Sequence, residues 1–200
     1  MLKRFVFGRP WPSSVPHDLR PLRAAWCAPL DQVRPGEGFS VGWFADAAAL
    51  AGFAEWSAPA GAHGDAVVID AEEEAMRGAD WLNRRWADGG RKWKHVALAR
   101  RAEGLSSEEF SARWRGHAGT ATAAAGGAVA IPEAARGKAY AQNHPLPRGA
   151  GDWAWDAITE VWFDDPAAMQ ARSDWFAANP QTGGLFRSSM FLPVTEEVIG

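Results

Sequence analysis

The chain has 200 residues, of which 47% are apolar and 22% charged, and its formal net charge is −3. This composition is typical of one large or two small globular domains and excludes disordered, collagen-like and coiled-coil chains. With 21 basic against 24 acidic residues, the sequence predicts neither a nucleic-acid nor a membrane partner. Twelve tryptophans stand against one tyrosine, which favours a thick aromatic core or an aromatic-lined cavity.

The single cysteine and the N-terminus indicate the compartment. Cys27 has no partner for an internal disulfide and no neighbours at metal-ligand spacing, so we expect a small buried side chain. The first ten residues lack the apolar run of a signal peptide, and no stretch reaches the ~20 apolar residues of a membrane span. The sequence also lacks nucleotide-binding and metal-binding motifs. We therefore predict a cytoplasmic protein without cofactor or metal.

The first half of the chain contains five predicted elements. Short apolar runs predict strands at residues 5–9 and 67–69. A third strand at residues 41–44 leads into a helix. Between the strands at 5–9 and 41–44, the pattern indicates a helix near residues 17–26, but prolines interrupt it and make it irregular.

The second half repeats this pattern with clearer boundaries. Ser106 and Glu109 form a capping box that opens a helix ending near His117. Asp165 followed by Pro166 is a favourable start for the second helix. The predicted strands are residues 93–100, 139–144, 155–163 and 189–194. The resulting order, β-α-β-β-α-β, is that of the ferredoxin-like unit.

Internal similarity relates the two halves. The matched segments are residues 5–9 with 96–100, 41–50 with 160–169, and 67–69 with 190–192. Two such sheets can bury their bare faces against each other. We predict an α+β fold made of two ferredoxin-like repeats in tandem, with a degenerate repeat at 1–78, a packed linker at 79–91 and a repeat carrying the site at 92–200.

The second half resembles the EthD family of the dimeric α/β-barrel superfamily. The resemblance spans about residues 92–200 and rests on Lys94 with Arg100-Arg101, Gly104-Leu105-Ser106 with Glu109-Phe110, Trp114 to His117, Tyr140 to His144, and Asp156 with Glu160 to Asp165. It implies a barrel of antiparallel sheets built from two copies, here a pseudo-dimer within one chain, with a cavity for small hydrophobic molecules. Similar proteins include polyketide cyclases, decarboxylases, dehydratases and cofactor-free oxygenases, so the fold does not select the reaction.

Two histidines are candidates for proton transfer. His117 shares a helical face with Phe110 and Trp114, and it acts either in catalysis or as a helix-end histidine bound to a backbone carbonyl. His144 shares a strand face with Tyr140 and Gln142. We expect this polar face to line a cavity, the alternative being a strand end in solvent.

Two carboxylates are further candidates. Asp156 and Glu160 share a strand face with Ile158 and Trp162, so desolvation should raise their pKa values and suit them to proton transfer. The alternative for each is a structural role, in which the carboxylate accepts hydrogen bonds from a neighbouring strand or pairs with Arg100, Arg101 or Arg148.

These residues predict a cofactor-independent enzyme that acts on a small hydrophobic or aromatic substrate, phenolic or polyketide-like, by acid-base catalysis. We favour a lyase-type step: decarboxylation, dehydration or retro-aldol cleavage. The alternatives are a cofactor-free monooxygenase and a non-catalytic binding protein. Catalysis is assigned to His117, His144, Asp156 and Glu160, and substrate binding to Tyr140, Asn143, Trp114, Trp155 and Trp162 in an indole-lined barrel interior. The chain would act as a monomer or a homodimer.

Overall fold

The computed structural model describes residues 1–30, 38–58, 66–116, 120–122, 128–148, 151–179 and 184–199. The elements within these residues are β1 (Leu2–Phe7), β2 (Arg23–Pro29), β3 (Phe39–Phe44), α1 (Ala47–Ser57), β4 (Val67–Arg77), α2 (Ala79–Asp88), β5 (Lys92–Arg101), α3 (Ser107–Arg115), β6 (Thr120–Thr122), β7 (Ala128–Ala130), α4 (Glu133–Arg136), β8 (Ala139–Pro145), β9 (Ala157–Phe163), α5 (Pro166–Ala178) and β10 (Phe186–Ile199). None of the helices among them is long and apolar enough to cross a membrane.

Eight strands form a closed barrel in the order β1-β3-β2-β10-β5-β9-β8-β4. Every neighbouring pair is antiparallel. The strands of the first half lie side by side as β4-β1-β3-β2, and those of the second half as β10-β5-β9-β8. The two sets join where β2 pairs with β10 and where β4 pairs with β8. The predicted antiparallel barrel is confirmed.

Local signals in the sequence set the helix starts. The capping box is present, with Ser106 accepting from the Glu109 backbone N–H and the Glu109 carboxylate accepting from the Ser106 N–H. Asp165 caps α5 through the N–H of Ala168, as predicted. In the first half, the proline-rich segment forms only a 3-10 turn at His17–Leu19 before β2 begins, because proline removes the donors that a longer helix needs.

Among the described residues, buried side chains fill the barrel interior. Its apolar part is a buried cluster that includes Phe5, Phe39, Trp43 and Leu98, together with Cys27, whose pKa burial raises to about 12. Cys27 is therefore the small buried side chain that the sequence predicts. An indole-lined cavity in the interior was expected, but dense packing of large side chains occupies this space.

Helix α2, within the predicted linker, covers one end of the barrel. The Trp86 ring meets the Trp43 ring edge-on at a centroid distance of 4.7 Å. The Arg85 guanidinium lies 4.5 Å from the centroid of the Trp162 ring and its Nε donates to Glu196 at 3.2 Å. The linker therefore packs into the fold.

Candidate functional site

Strand β8 separates its side chains between two environments. Ala139, Ala141 and Asn143 point into the barrel, whereas Tyr140, Gln142 and His144 lie on the outer face that α3 and α5 cover. The alternation is as predicted, but the polar set faces the helices and not the barrel interior. Helix α3 tolerates this polar face because Gln142 donates to the Trp114 carbonyl at 3.0 Å and to the Tyr140 hydroxyl oxygen at 2.8 Å.

His144 lies at the end of this polar row and is 5% exposed. Its Nδ1 is 2.9 Å from the Ser111 hydroxyl oxygen of α3, and its ring centroid is 4.6 Å from that of Trp114. Its Nε2 is buried and lies 3.6 Å from the Glu74 carboxylate of β4. Burial and the positive charge of Arg115 lower the pKa of His144 to about 4, with Glu74 opposing the shift. The imidazole is therefore neutral at pH 7.

A groove of about 480 Å³ opens beside His144, between α3 and residues 145–148 and 151–156. Its size falls in the range of small-molecule sites. Apolar surface comes from Phe110 and Trp153, and polar groups come from Ser111, Arg115 and His144. The groove therefore combines a neutral base with aromatic walls, which suits a flat substrate.

Asp156 lies at the same groove and is committed to an ion pair. Its carboxylate accepts from the Arg101 backbone N–H at 3.0 Å and from the Arg101 guanidinium, which also contacts Asp152. This is the structural pairing that the sequence left open. It fixes residues 152–156 to the end of β5 and so shapes one wall of the groove.

A second polar area lies on the same outer face, toward α5. His95 of β5 is 2% exposed, and its Nδ1 has no hydrogen-bond partner in the described part of the chain. Burial, with the charge of Arg172, lowers the pKa of His95 to about 3. The ring lies between Phe176 and Phe191, with centroids 6.3 and 5.1 Å away. This environment agrees with a structural role for His95.

Between these two areas, the helices leave part of the sheet open. Ala97, Thr159 and Gln142 are neighbours across β5, β9 and β8. Ala97 and Thr159 are partly exposed although both lie in the middle of barrel strands. The Oε1 atom of Gln142, buried beside them, has no hydrogen-bond partner among the described residues.

Glu160 points into the barrel, away from the groove, and is fully buried. It belongs to an interior ion cluster, defined as Lys3, Glu73, Arg85, Lys94, Glu160 and Glu196. Its carboxylate accepts from Lys3, from Lys94 at 2.8 Å and from the Asn143 amide at 3.0 Å. Burial alone would raise the pKa of Glu160, but the two ammonium groups hold it well below its ordinary value. The predicted upward shift is wrong because both cations come from other strands, and the local pattern of β9 does not show which side chains the closed barrel brings beside Glu160.

The remaining candidates divide between the interior and the outer face. Asn143 and Trp162 lie in the barrel, where the Trp162 indole N–H donates to Glu196 at 3.3 Å. Trp155 packs against the apolar interior, and the Arg100 guanidinium lies 5.4 Å from the centroid of its ring. Trp114 lies on the buried face of α3, where its ring contacts that of His144. His117 lies outside the described residues. The structure thus brings together His144, Trp114 and Asp156, with Tyr140 further along the row.

Sequence reasoning missed three side chains around His144. Ser111 and Arg115 are four residues apart on α3, so they share a helical face, and the Arg115 guanidinium donates to the Ser111 oxygen at 3.2 Å. This spacing of four residues is the only local pattern in the sequence that would place Ser111 beside Arg115. Arg115 also donates to Glu74 at 3.0 Å, but Glu74 comes from the other half of the chain. Across the residues that the structure describes, no group of His, Cys, Asp and Glu is arranged to hold a metal ion.

Comparison with known families finds that residues 102–181 match the EthD domain. The match lies in the half of the chain where the sequence predicts it, and the resemblance is confirmed there. EthD domains belong to the dimeric α/β-barrel superfamily, which includes cofactor-free enzymes. A search of curated proteins finds no significant match.

Proposed function

We propose that the protein is a cofactor-independent enzyme that binds a small hydrophobic or aromatic substrate in the groove beside His144 and transfers a proton from it. One observation carries the proposal: a buried, neutral imidazole, hydrogen-bonded at 2.9 Å to a hydroxyl that lines a groove of about 480 Å³. The EthD match adds support, since the superfamily includes enzymes that work without a cofactor.

In this proposal, His144 is the proton acceptor. The neutral imidazole takes a proton through the Ser111 hydroxyl, which lies between its Nδ1 and the groove. The imidazolium that forms is stabilised by the Glu74 carboxylate, 3.6 Å from Nε2. Arg115 and Arg148 line the groove, and their guanidinium groups would stabilise an enolate or phenolate. The reaction that fits this arrangement best is a lyase-type step that starts with deprotonation. Dehydration and retro-aldol cleavage are two such reactions.

The test is turnover of a panel of small aromatic hydroxyketones and keto acids, followed by mass spectrometry. We expect His144→Ala to reduce product formation roughly 100-fold or more, while His17→Ala, a change in the exposed 3-10 turn, leaves it unchanged. His117→Ala is measured in parallel because both histidines are catalytic candidates. Wild-type turnover in folded His144→Ala would overturn the assignment.

The same panel separates the alternative functions. A rate that depends on dissolved oxygen indicates a monooxygenase, whose substrate anion reduces oxygen after the same deprotonation. Quenching of tryptophan fluorescence by a compound that is recovered unchanged indicates a binding protein. A product formed equally with and without oxygen supports the lyase.

We also propose that the two halves are copies of one ferredoxin-like unit. The support is their common strand order and three interior pairs at matched places: Lys3 with Lys94, Trp43 with Trp162, and Glu73 with Glu196. Since the barrel closes within one chain, we propose a monomer in solution, which light scattering would test.

A further inference from the structure

Three side chains from three elements form a connected row at the groove. Glu74 of β4 lies 3.6 Å from Nε2 of His144 on β8, and Nδ1 of His144 lies 2.9 Å from the Ser111 oxygen on α3. Nε2 is buried, and Nδ1 is occupied by the hydroxyl. Ser111 is half-buried and lines the groove. A molecule in the groove therefore contacts the Ser111 hydroxyl and not a ring nitrogen of His144.

The direction of the hydrogen bond between Ser111 and His144 depends on the tautomer of the ring. A guanidinium has donors only, so the contact of 3.2 Å between Arg115 and Ser111 places an N–H on the hydroxyl oxygen. The Ser111 oxygen accepts through a lone pair, so its own proton is free to point to Nδ1, 2.9 Å away. This direction belongs to the tautomer of His144 whose ring proton lies on Nε2, 3.6 Å from the Glu74 carboxylate. In that tautomer, the hydroxyl proton is directed to a neutral imidazole and a carboxylate lies 3.6 Å from the other ring nitrogen, which is the arrangement of an activated nucleophile.

We propose that Ser111 is a nucleophile, activated by His144 and Glu74, and that the groove hydrolyses small carboxylic esters. The Ser111 oxygen attacks the carbonyl carbon while its proton passes to Nδ1 of His144. The alcohol leaves with that proton, and an acyl group remains on Ser111. Water then attacks the acyl carbon, the acid is released and the hydroxyl is restored. Arg115, already within 3.2 Å of the serine oxygen, donates to the oxyanion that forms on the carbonyl.

This activity goes beyond the proton transfer proposed above and can be tested without its substrate. The probe is phenylmethanesulfonyl fluoride, whose sulfur forms a bond to a nucleophilic serine oxygen while fluoride leaves with the proton. The intact protein is incubated with the reagent, and the modified residue is identified by peptide mass spectrometry. We expect one sulfonyl group, on Ser111.

Matched variants assign the source of the reactivity. Ser173→Ala is the control, because Ser173 is also a half-buried helix serine but donates to a backbone carbonyl at 3.4 Å. It should be labelled like the wild type, and Ser111→Ala should not be labelled. His144→Gln should slow labelling roughly 100-fold or more, and Glu74→Gln should slow it by a smaller factor.

Ester hydrolysis provides the second measurement. Release of nitrophenol from para-nitrophenyl acetate should be lost in Ser111→Ala and retained in Ser173→Ala. An unlabelled wild type, labelling at another serine, or full labelling rates in folded His144→Gln would each overturn the proposal. Loss of the lyase activity alone would not affect the labelling result, so failures of the two proposals are distinguishable.

Discussion

Replacing Glu160 with Gln tests how far the interior ion cluster stabilises the barrel. Glu160 is fully buried and accepts from Lys3, from Lys94 and from Asn143. Breaking a buried ion pair by removing one partner costs about 3–5 kcal/mol. Lys3 keeps Glu73 at 2.7 Å and Lys94 keeps Glu196, so we expect the lower end of that range, about 3 kcal/mol.

Urea unfolding followed by tryptophan fluorescence measures this loss. With a slope of about 2 kcal/mol per molar urea, Glu160→Gln should lower the midpoint by about 1.5 M. The matched control is Glu197→Gln, because the Glu197 pair with Arg91 is half exposed and such pairs contribute about 1 kcal/mol or less. Equal midpoints for the two variants would refute the reasoning, since burial would then make no difference.

Three further predictions concern titration and capping. In an NMR titration, His144 should titrate near pH 4, and Arg115→Gln should raise its pKa because a nearby positive charge is removed; titration above pH 6 in the wild type would contradict this. The folded-state pKa values of His95 and His144 are about 3 and about 4, below the ordinary 6.5. The two neutral rings therefore contribute fully to the free energy of unfolding above pH 6.5, and this contribution decreases as the pH falls. Glu160, whose pKa is lowered from 4.5, adds a further loss below pH 4.5. The urea midpoint should therefore change little between pH 8 and pH 6 and fall clearly between pH 6 and pH 4; a constant midpoint would contradict this. Ser106→Ala removes the cap of α3 and should cost about 1 kcal/mol, whereas Ser106→Thr retains most of it; equal unfolding midpoints for both would show that the cap contributes nothing.

Elements with short-range signals could be predicted from the sequence. The capping box at Ser106 and the Asp165-Pro166 start depend on residues within four positions of each other, and both appear in the structure. The alternation along β8 is equally local, so the grouping of Tyr140, Gln142 and His144 is correct. Periodicity shows which residues share a face, but in a barrel covered by helices both faces are buried, and it does not show which one faces inward.

The partners of the buried charges could not be predicted for a different reason. Lys3 and Glu160 are 157 positions apart, and Arg85 and Glu196 are 111 apart. Their contacts arise only when the barrel closes. Glu74, which lies beside His144, likewise comes from the opposite half of the chain. Local patterns therefore identified the titratable residues but gave the wrong pKa direction for Glu160.

The place of β10 in the barrel has a consequence for synthesis of the chain. β10 pairs with β5 along most of its length and with β2 near its end, so it completes the ring only after the other seven barrel strands have been synthesised. Until then β2 and β5 each present an unpaired edge, which is a site for aggregation. Glu196 of β10 also supplies the counter-charge to Lys94 and Arg85. A nascent chain without β10 would therefore hold two cations that lack this carboxylate, so the barrel reaches its full stability only when β10 has joined it.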